Sequence, residues 1–422
     1  MMVTKPGIAL SRFDFSFSVL LPFFIYTFVI AEGRGVFVYP EITFSLVCSL
    51  VFMTFLVLVL LPTVSVIFVG GFRFVYRVFP RVRPLGFLVF SVVYFVFSIF
   101  YFLGDLNYIR YGGAASEQLK ETFIATAIFL CKIVVCTQVF YMLLMGLGRG
   151  VYSDSYWFIV SMSMILSTDG MAHVVLLGVF FWFLLARRSL DNFLYSGFFY
   201  RPRAKFFFGL GVLLLFFVGI AFKAKSINVA AEILNSGELI VVNLLWLADR
   251  VSTLYFSVGY AINNSDFNFS LQFESWNIIV SEIKYRVCVL FSGAGCSVYR
   301  ELYGSMSRFN FANISFVDPG RGGASPGVLG SASYLFPIYI APFFAVLYYA
   351  LVSAAINAAV GAFQIKAVKI FGAIVLIYLV RIVYLNPASM LNPISSPFIG
   401  VIVFLAVSAQ FYKLKGVSKP HE

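Results

Sequence analysis

Long apolar segments separated by short polar connections run along almost the whole chain. A helix needs about 20 apolar residues to cross a bilayer, whereas a membrane strand alternates apolar and polar positions over about ten residues. The segments here are continuous, so the pattern predicts about ten membrane-spanning helices. They lie near residues 14–31, 42–69, 85–103, 122–146, 155–168, 170–186, 206–222, 331–360, 370–385 and 398–412. The short pair at 155–168 and 170–186 forms either two spans or one re-entrant hairpin.

One long segment, 223–330, interrupts this alternation. Connections of this length in a compact protein usually carry function. The chain therefore divides into N-terminal transmembrane helices (1–222), a large outer loop with amphipathic or re-entrant segments (223–330), and C-terminal transmembrane helices with a tail (331–422). Within the loop, residues 239–262 are apolar around a central charged pair, which predicts a segment at or dipping into the membrane surface. The expected fold class is all-α, a polytopic membrane protein.

The composition excludes an ordinary soluble protein. Hydrophobic residues make up 61% of the 422 positions and charged residues only 11%, against about a quarter charged in soluble domains. The formal net charge of +12 does not indicate nucleic acid as a partner, because the cations lie mainly in short connections beside apolar segments. The chain has only two histidines, His173 and His421, so histidine-based metal sites are nearly excluded and no metal site is predicted.

The distribution of positive charge predicts the orientation of the spans. Short loops rich in Lys and Arg stay in the cytoplasm, and the basic segments here fall on one side if the predicted spans alternate. The cations of that side are Lys5, Arg12, Arg73, Arg77, Arg81, Arg83, Arg187, Arg188, Arg201, Arg203, Lys205, Lys366, Lys369, Lys413, Lys415 and Lys419. The opposite short loops hold only Arg34, Arg110 and Lys120. Both termini are therefore predicted to be cytoplasmic.

Three arginines are candidates for binding a phosphate group. Arg381 lies within the apolar segment 370–385, where a charge is rare and is a functional candidate by default. Arg250 interrupts another apolar segment, and Arg321 lies in the Gly-rich run 318–327. Guanidinium groups bind phosphate oxygens in a bidentate manner and stay charged at every relevant pH. An arginine that reaches the lipid headgroups, or one that is paired in a salt-bridged loop, explains the same residues without a ligand.

Candidate bases are Asp249, Glu238 and His173. The two carboxylates belong to the outer loop, and His173 begins a predicted span at the outer face. A carboxylate or an imidazole there can accept a proton from a hydroxyl group, although a histidine at a helix start is more often simply hydrogen-bonded. Cys288 and Cys296, in the same loop, form a short disulfide if the outer compartment is oxidising, and the sequence leaves that open.

Two short motifs resemble the Wzy-type O-antigen polymerases, which join oligosaccharide repeat units in bacterial envelopes. The run Gly320-Arg321-Gly322-Gly323-Ala324-Ser325-Pro326-Gly327-Val328-Leu329-Gly330, followed by a predicted span, is similar to the Ser/Pro-Gly-x-x-Gly segment at the end of their large periplasmic loop. The sequence Asp249-Arg250-Val251-Ser252 is similar to their Arg-x-Ser element. A further pattern of some members, an arginine and a glycine separated by ten residues, does not occur in this chain.

The resemblance implies a membrane glycosyltransferase of polysaccharide and lipopolysaccharide biosynthesis, with a GT-C-like fold, no nucleotide sugar and no cofactor. The growing glycan would move from its undecaprenyl-pyrophosphate carrier to the non-reducing end of a new lipid-linked repeat unit, at the periplasmic face of the bacterial inner membrane. Arg250, Arg321 and Arg381 would hold the pyrophosphates. Expected partners are the lipid-linked oligosaccharide, membrane lipids, a flippase and a chain-length regulator. A flippase or transporter of lipid-linked oligosaccharide, an O-antigen ligase and a purely structural membrane protein are the alternatives.

Overall fold

The structure, a computed structural model, describes residues 6–28, 37–78, 249, 252–265, 269–291, 295–299, 304–315, 323–362, 383–393 and 395, with five single positions between 398 and 409. Those residues are mostly helical and form no strand, although one bridge pairs Phe37 with Ser315. Three helices are long and apolar enough to cross a membrane: Gly7–Phe28, Phe44–Val78 and Ala341–Ala358. The expected helical membrane protein is confirmed at this level. The count of ten spans stays a prediction, because segments 85–222 and most of 370–412 lie outside the described residues.

We number the α-helices in chain order over the described residues. They are α1 Pro6–Phe15, α2 Leu21–Phe28, α3 Phe44–Val78, α4 Thr253–Asn263, α5 Ser270–Phe291, α6 Met306–Ile314, α7 Gly327–Leu335 and α8 Ala341–Ala362. A π-helix, Ser16–Leu20, joins α1 to α2, and two 3-10 helices cover Cys296–Tyr299 and Pro387–Leu391.

The first span begins earlier than its hydropathy predicts. The predicted segment was 14–31, but α1 starts at Pro6, a residue well suited to the first helical position. Arg12 and Asp14 lower the local hydropathy, and for this reason the predicted span starts after Arg12. In the structure Arg12 lies inside the first span. The π-helix follows directly, with the Leu21 N–H bonded to the carbonyl of Ser16, five residues back.

The second span is longer than a bilayer requires. Helix α3 has 35 residues, which corresponds to about 52 Å at 1.5 Å per residue, against a hydrocarbon core of about 30 Å. The prediction that Arg73 and Arg77 lie in a loop is wrong, because both belong to the last two turns of α3. Both side chains are exposed, and the helix continues beyond the predicted apolar segment 42–69 to Val78.

Helix α8 packs antiparallel to α1, and small residues let the two backbones approach closely. A Cβ at Gly7 would overlap the carbonyl of Ser353, so only glycine fits there. The Ser353 hydroxyl donates to the Gly7 carbonyl (3.0 Å) and lies 2.6 Å from the Ser11 hydroxyl. The Ser11 hydroxyl also lies 2.5 Å from the Tyr384 hydroxyl and donates to the Tyr349 carbonyl (3.4 Å). This group of hydroxyls joins three segments of the chain.

Proline and arginine complement each other where α1 crosses α3. Pro62 lies inside α3 and has no N–H, so the carbonyl of Leu58, four residues earlier, loses its helical partner. The Arg12 guanidinium donates to that same carbonyl over 3.0 Å. An unpaired carbonyl in a bilayer is costly, and Arg12 therefore replaces the bond that Pro62 cannot make.

We expect these two residues to be energetically coupled. Arg12→Met should lower the free energy of unfolding by about 2 kcal/mol, because a hydrogen bond to a charged donor is lost. In a Pro62→Ala background the N–H of residue 62 donates to the Leu58 carbonyl. Arg12→Met should then lower the free energy of unfolding by at least about 1 kcal/mol less than it does in the wild-type background. SDS-titrated unfolding in mixed micelles measures both values. Arg77→Met, at an exposed cation of α3, is the control, and equal costs in the two backgrounds would contradict the coupling.

Helices α4 to α7 pack together into one layer, called the outer layer, which contacts the C-terminal part of the first span and the start of α3. Helix α4 packs on α7, on the π-helix Ser16–Leu20, on α6 and on α3. Eight of its eleven residues are buried: Leu254, Tyr255, Phe256, Ser257, Val258, Gly259, Ala261 and Ile262. Protein therefore covers most of α4, and the expectation that the segment 239–262 lies at or dips into the membrane surface stays a prediction.

The predicted span 331–360 is also corrected, because it is two helices. Helix α7 ends at Leu335, the chain turns through Phe336, and α8 begins at Ala341. Two prolines cause the break, since Pro337 and Pro342 supply no N–H and disfavour helical geometry in the residue before them. Helix α7 is buried throughout and belongs to the outer layer, so only α8 is a candidate span.

Candidate functional site

Asp249 is a buried carboxylate held by two tyrosines, one from the first span and one from the segment that leads into the second. Its side chain is 3% exposed, and its Oδ1 accepts the hydroxyl protons of Tyr26 (2.5 Å) and Tyr39 (2.9 Å). The ring of Phe256 lies 5.0 Å from both tyrosine rings and closes the site from the side of α4. Hydrogen bonds to a carboxylate are among the stronger ones in proteins, so this contact fixes the start of α4 against the outer end of the first span.

Tyr39 is itself held in place, because the segment 37–43 lies along the outer layer. The Val38 N–H donates to the carbonyl of Ile314 (2.8 Å), and Phe37 bridges to Ser315. Farther on, the Asn263 side chain donates to the carbonyl of Glu41 (2.8 Å) and accepts from Thr43 (2.6 Å). A Cβ at Gly259 would overlap Pro40, so this glycine allows the close contact.

The end of the Gly-rich run packs against α4. Gly327 starts α7 with φ +71°, a left-handed conformation that favours glycine, and a Cβ there would lie 3.0 Å from Leu254. Asn310 of α6 connects the same two segments: its amide donates to the Ser257 hydroxyl (2.8 Å) and to the Ala324 carbonyl (2.7 Å).

A third segment joins at Ser307. The Ala324 N–H donates to the Ser307 carbonyl (3.0 Å), and the Asn386 amide donates to the Ser307 hydroxyl (3.2 Å). Asn386 begins the turn that leads into Pro387–Leu391. Three segments far apart in sequence, 252–257, 323–327 and 383–386, therefore meet around α6.

Two buried acceptors lie at this meeting point. The side-chain oxygens Oδ1 of Asn310 and Oδ1 of Asn386 are buried, and neither has a hydrogen-bond partner in the part of the chain that the structure describes. An unpaired buried acceptor is costly, so both oxygens suit a donor such as a guanidinium or a ligand hydroxyl. Sequence reasoning did not select these residues. The available signal was the polar Asn310 between two phenylalanines.

Of the predicted site residues, only Asp249 is described. Arg250, Arg321, Arg381, Glu238 and His173 lie outside the described residues, and their assigned roles stay predictions. Along the chain, Arg250, Arg321 and Arg381 precede the residues at which the three segments meet, Ser257, Ala324 and Asn386, by seven, three and five positions. Separations of three to seven residues span at most about 10 to 25 Å. Among the described residues, no group of three or more His, Cys, Asp or Glu side chains could hold a metal ion.

The outer layer also contains the disulfide that the sequence left open. Cys288, near the end of α5, is bonded to Cys296, with their Cα atoms 5.7 Å apart.

Glu282 of α5 is a second partly buried carboxyl group. Burial raises its pKa above the ordinary value, while the charge of Arg286 and a hydrogen bond with Asn392 oppose the shift. A carboxyl whose pKa is higher in the folded state favours folding below its unfolded pKa, and this contribution is lost as the pH rises through the folded pKa.

Glu282→Gln should therefore stabilise the protein relative to wild type, by an amount that grows as the pH rises from about 4 towards neutrality. Unfolding in mixed micelles at several pH values measures the difference. Glu274→Gln, at an exposed position on the same helix, should change stability little over that range. If the difference in unfolding free energy between Glu282→Gln and wild type did not change with pH, the raised pKa of Glu282 would be contradicted.

Comparisons of the chain with protein-family models, with curated proteins and with solved structures give no match.

Proposed function

We propose that this protein is a membrane glycosyltransferase that polymerises lipid-linked oligosaccharide repeat units. It transfers the growing glycan from undecaprenyl pyrophosphate to the non-reducing end of a new lipid-linked unit, at the periplasmic face of the bacterial inner membrane. About ten spans, a GT-C-like arrangement and cytoplasmic termini belong to the same proposal. The observation that carries it is the meeting of the three segments that directly follow Arg250, Arg321 and Arg381.

The chemistry of such a transfer fits these residues. A departing pyrophosphate carries several negative charges, and cations arranged before the reaction stabilise it without reorganisation. Each arginine precedes, by three to seven residues, a position that contacts the other segments through Asn310 or Ser307. The unpaired oxygens of Asn310 and Asn386 can orient guanidinium groups from the side opposite the phosphates.

The contacts of Asp249, predicted from the sequence as a candidate base, favour a positioning role instead. Its Oδ1 already accepts two hydrogen bonds and its side chain is almost fully buried. It precedes Arg250 directly, so the tyrosine contacts hold the backbone from which that arginine extends. Glu238 and His173 remain the candidate bases for the acceptor hydroxyl.

Purified protein in liposomes tests the reaction. Given an undecaprenyl-pyrophosphate-linked oligosaccharide, with chelator and without nucleotide sugar, it should lengthen the glycan in steps of one repeat unit. Movement of intact units between leaflets without lengthening would establish a flippase. Transfer of a finished chain to a different lipid acceptor would establish a ligase, and neither of these results is compatible with the proposal.

Cysteine labelling tests the proposed topology. In a chain with Cys48, Cys131 and Cys136 replaced by serine and the disulfide retained, Asn264→Cys should react with an impermeant maleimide added to spheroplasts. Arg77→Cys, at the opposite end of α3, should react only after lysis. Both positions are exposed, so access and not burial determines labelling. Reversed labelling would place the proposed site on the cytoplasmic side.

A further inference from the structure

Helix α5 has two apolar faces, and only one of them is covered by other residues that the structure describes. Leu271, Ile278, Ile279 and Val289 are buried, and the helix packs on α7 and α6. A second set of apolar side chains points away from the protein, with Phe273 69% and Phe291 85% exposed. The exposed set consists of Phe273, Trp276, Val280, Val287 and Phe291.

The exposed set forms one continuous stripe. At 100° per residue these five positions fall within about 60° of arc, and they extend over about 27 Å of helix. On one side of the stripe the exposed residues are polar, namely Glu274 and Asn277. The helix is therefore amphipathic on its outward face, with an apolar side and a polar side.

The apolar stripe continues into the surface of a membrane span. The indole of Trp276 packs edge-on against Phe336 (6.1 Å), and Phe336 stacks on Phe344 of α8 (3.7 Å). Helix α8 is a candidate span and exposes Phe343, Phe344, Leu347 and Leu351. The same apolar surface therefore runs from the lipid-facing side of α8 onto α5.

Lys284 is exposed and lies at the edge of the stripe, about 20° around the helix from Phe273 and Phe291, on the side of Asn277. In an interface with another protein, an amine at the edge of a buried apolar face would lose its water at a cost. Next to a bilayer, its long stem lets the ammonium group reach the headgroup phosphates while the methylene groups stay among apolar chains. Lipid accommodates this pattern better than a protein partner does.

We propose that α5 lies along the membrane surface with its apolar stripe inserted among the acyl chains of the adjacent lipid leaflet. Lys284 contacts the headgroups, and Glu274 and Asn277 face the water. The outer layer is then attached to the bilayer by α5 as well as by its connections to the spans. This inference does not depend on the reaction that the protein catalyses.

Single-tryptophan variants in liposomes test the proposal. In both variants Trp157, Trp182 and Trp246 are replaced by phenylalanine. The first variant keeps Trp276. The second carries Trp276→Phe and Phe273→Trp, so that its single tryptophan is at position 273. Both variants should be quenched at least twofold by lipids brominated in the acyl chains and little by aqueous iodide. The control, Glu274→Trp with Trp276→Phe, lies about 100° around the helix from Phe273 and should show the reverse.

A stripe covered by a second copy or by another protein would be protected from both quenchers, and a stripe in water would respond to iodide. Either result overturns the proposal. Because the tryptophan replacements can impair folding, the unaltered protein provides a second measurement. In liposomes that contain a phospholipid with a photoreactive acyl chain, adducts should form on the α5 peptide at the stripe. Adducts on α8 without any on α5 would also overturn it.

Discussion

Arg381→Ala is expected to lower the rate of glycan lengthening by roughly a hundredfold or more. The residue is proposed to stabilise the departing pyrophosphate, and losing a charge-assisted contact made in the transition state costs several kcal/mol. Arg381→Lys keeps the charge but loses the planar fork that binds two oxygens, so its rate should be intermediate. The measurement is the initial rate of lengthening in liposomes with lipid-linked oligosaccharide at saturation.

Arg77→Ala is the matched control, since it removes an exposed cation at the other end of the second span. Its rate should equal that of wild type. A large loss in Arg381→Ala that is accompanied by reduced thermal stability would indicate a structural role. Full activity in Arg381→Ala would show that Arg381 does not stabilise the departing pyrophosphate. The meeting of the three segments would then no longer support the proposed reaction.

Asp249→Ala is expected to lower the free energy of unfolding by about 3 kcal/mol and to abolish lengthening. The replacement leaves the hydroxyls of Tyr26 and Tyr39 without their shared acceptor, and breaking a buried charged contact costs several kcal/mol. Activity is lost because Arg250 follows directly. Unfolding in mixed micelles gives the first value and the lengthening assay the second.

Asp249→Asn separates positioning from proton transfer. The amide oxygen still accepts from both tyrosines, so a positioning residue should retain much of its activity, whereas a base would lose it as fully as in the alanine variant. Tyr26→Phe and Tyr39→Phe should each cost about 1 kcal/mol. Tyr255→Phe is their control, because that buried ring packs on Tyr26 (6.4 Å) and its hydroxyl makes no hydrogen bond with the described residues. Equal effects at all three tyrosines would contradict the specific contact.

Hydropathy predicted the existence of the three described spans well and their limits less well. The start of α3 was found within two residues, because a continuous apolar segment leaves no other interpretation. Its end was missed, since a helix can carry Arg73 and Arg77 beyond the bilayer without any change of secondary structure. The break between α7 and α8 was available in the sequence as Pro337 and Pro342, but the apolar residues around them masked the signal.

The site was partly accessible from the sequence. Asp249 was selected as a candidate base because a carboxylate in the predicted outer loop can accept a proton. Its partners could not be predicted, since Tyr26 and Tyr39 are 223 and 210 residues away along the chain and tyrosine is common in this composition. Asn310 was missed for a similar reason, because a single amide has no spacing pattern and only tertiary contacts reveal what it joins.

The contact between Arg12 and the carbonyl freed by Pro62 has a consequence for how homologous sequences should vary. A proline at position 62 without an arginine at position 12 leaves an unpaired carbonyl, and an arginine at 12 without the proline leaves a charge without its acceptor. We expect the two positions to co-vary across homologues, being exchanged together for an apolar residue and a residue with an N–H. An alignment in which they vary independently would show that the pairing is particular to this chain.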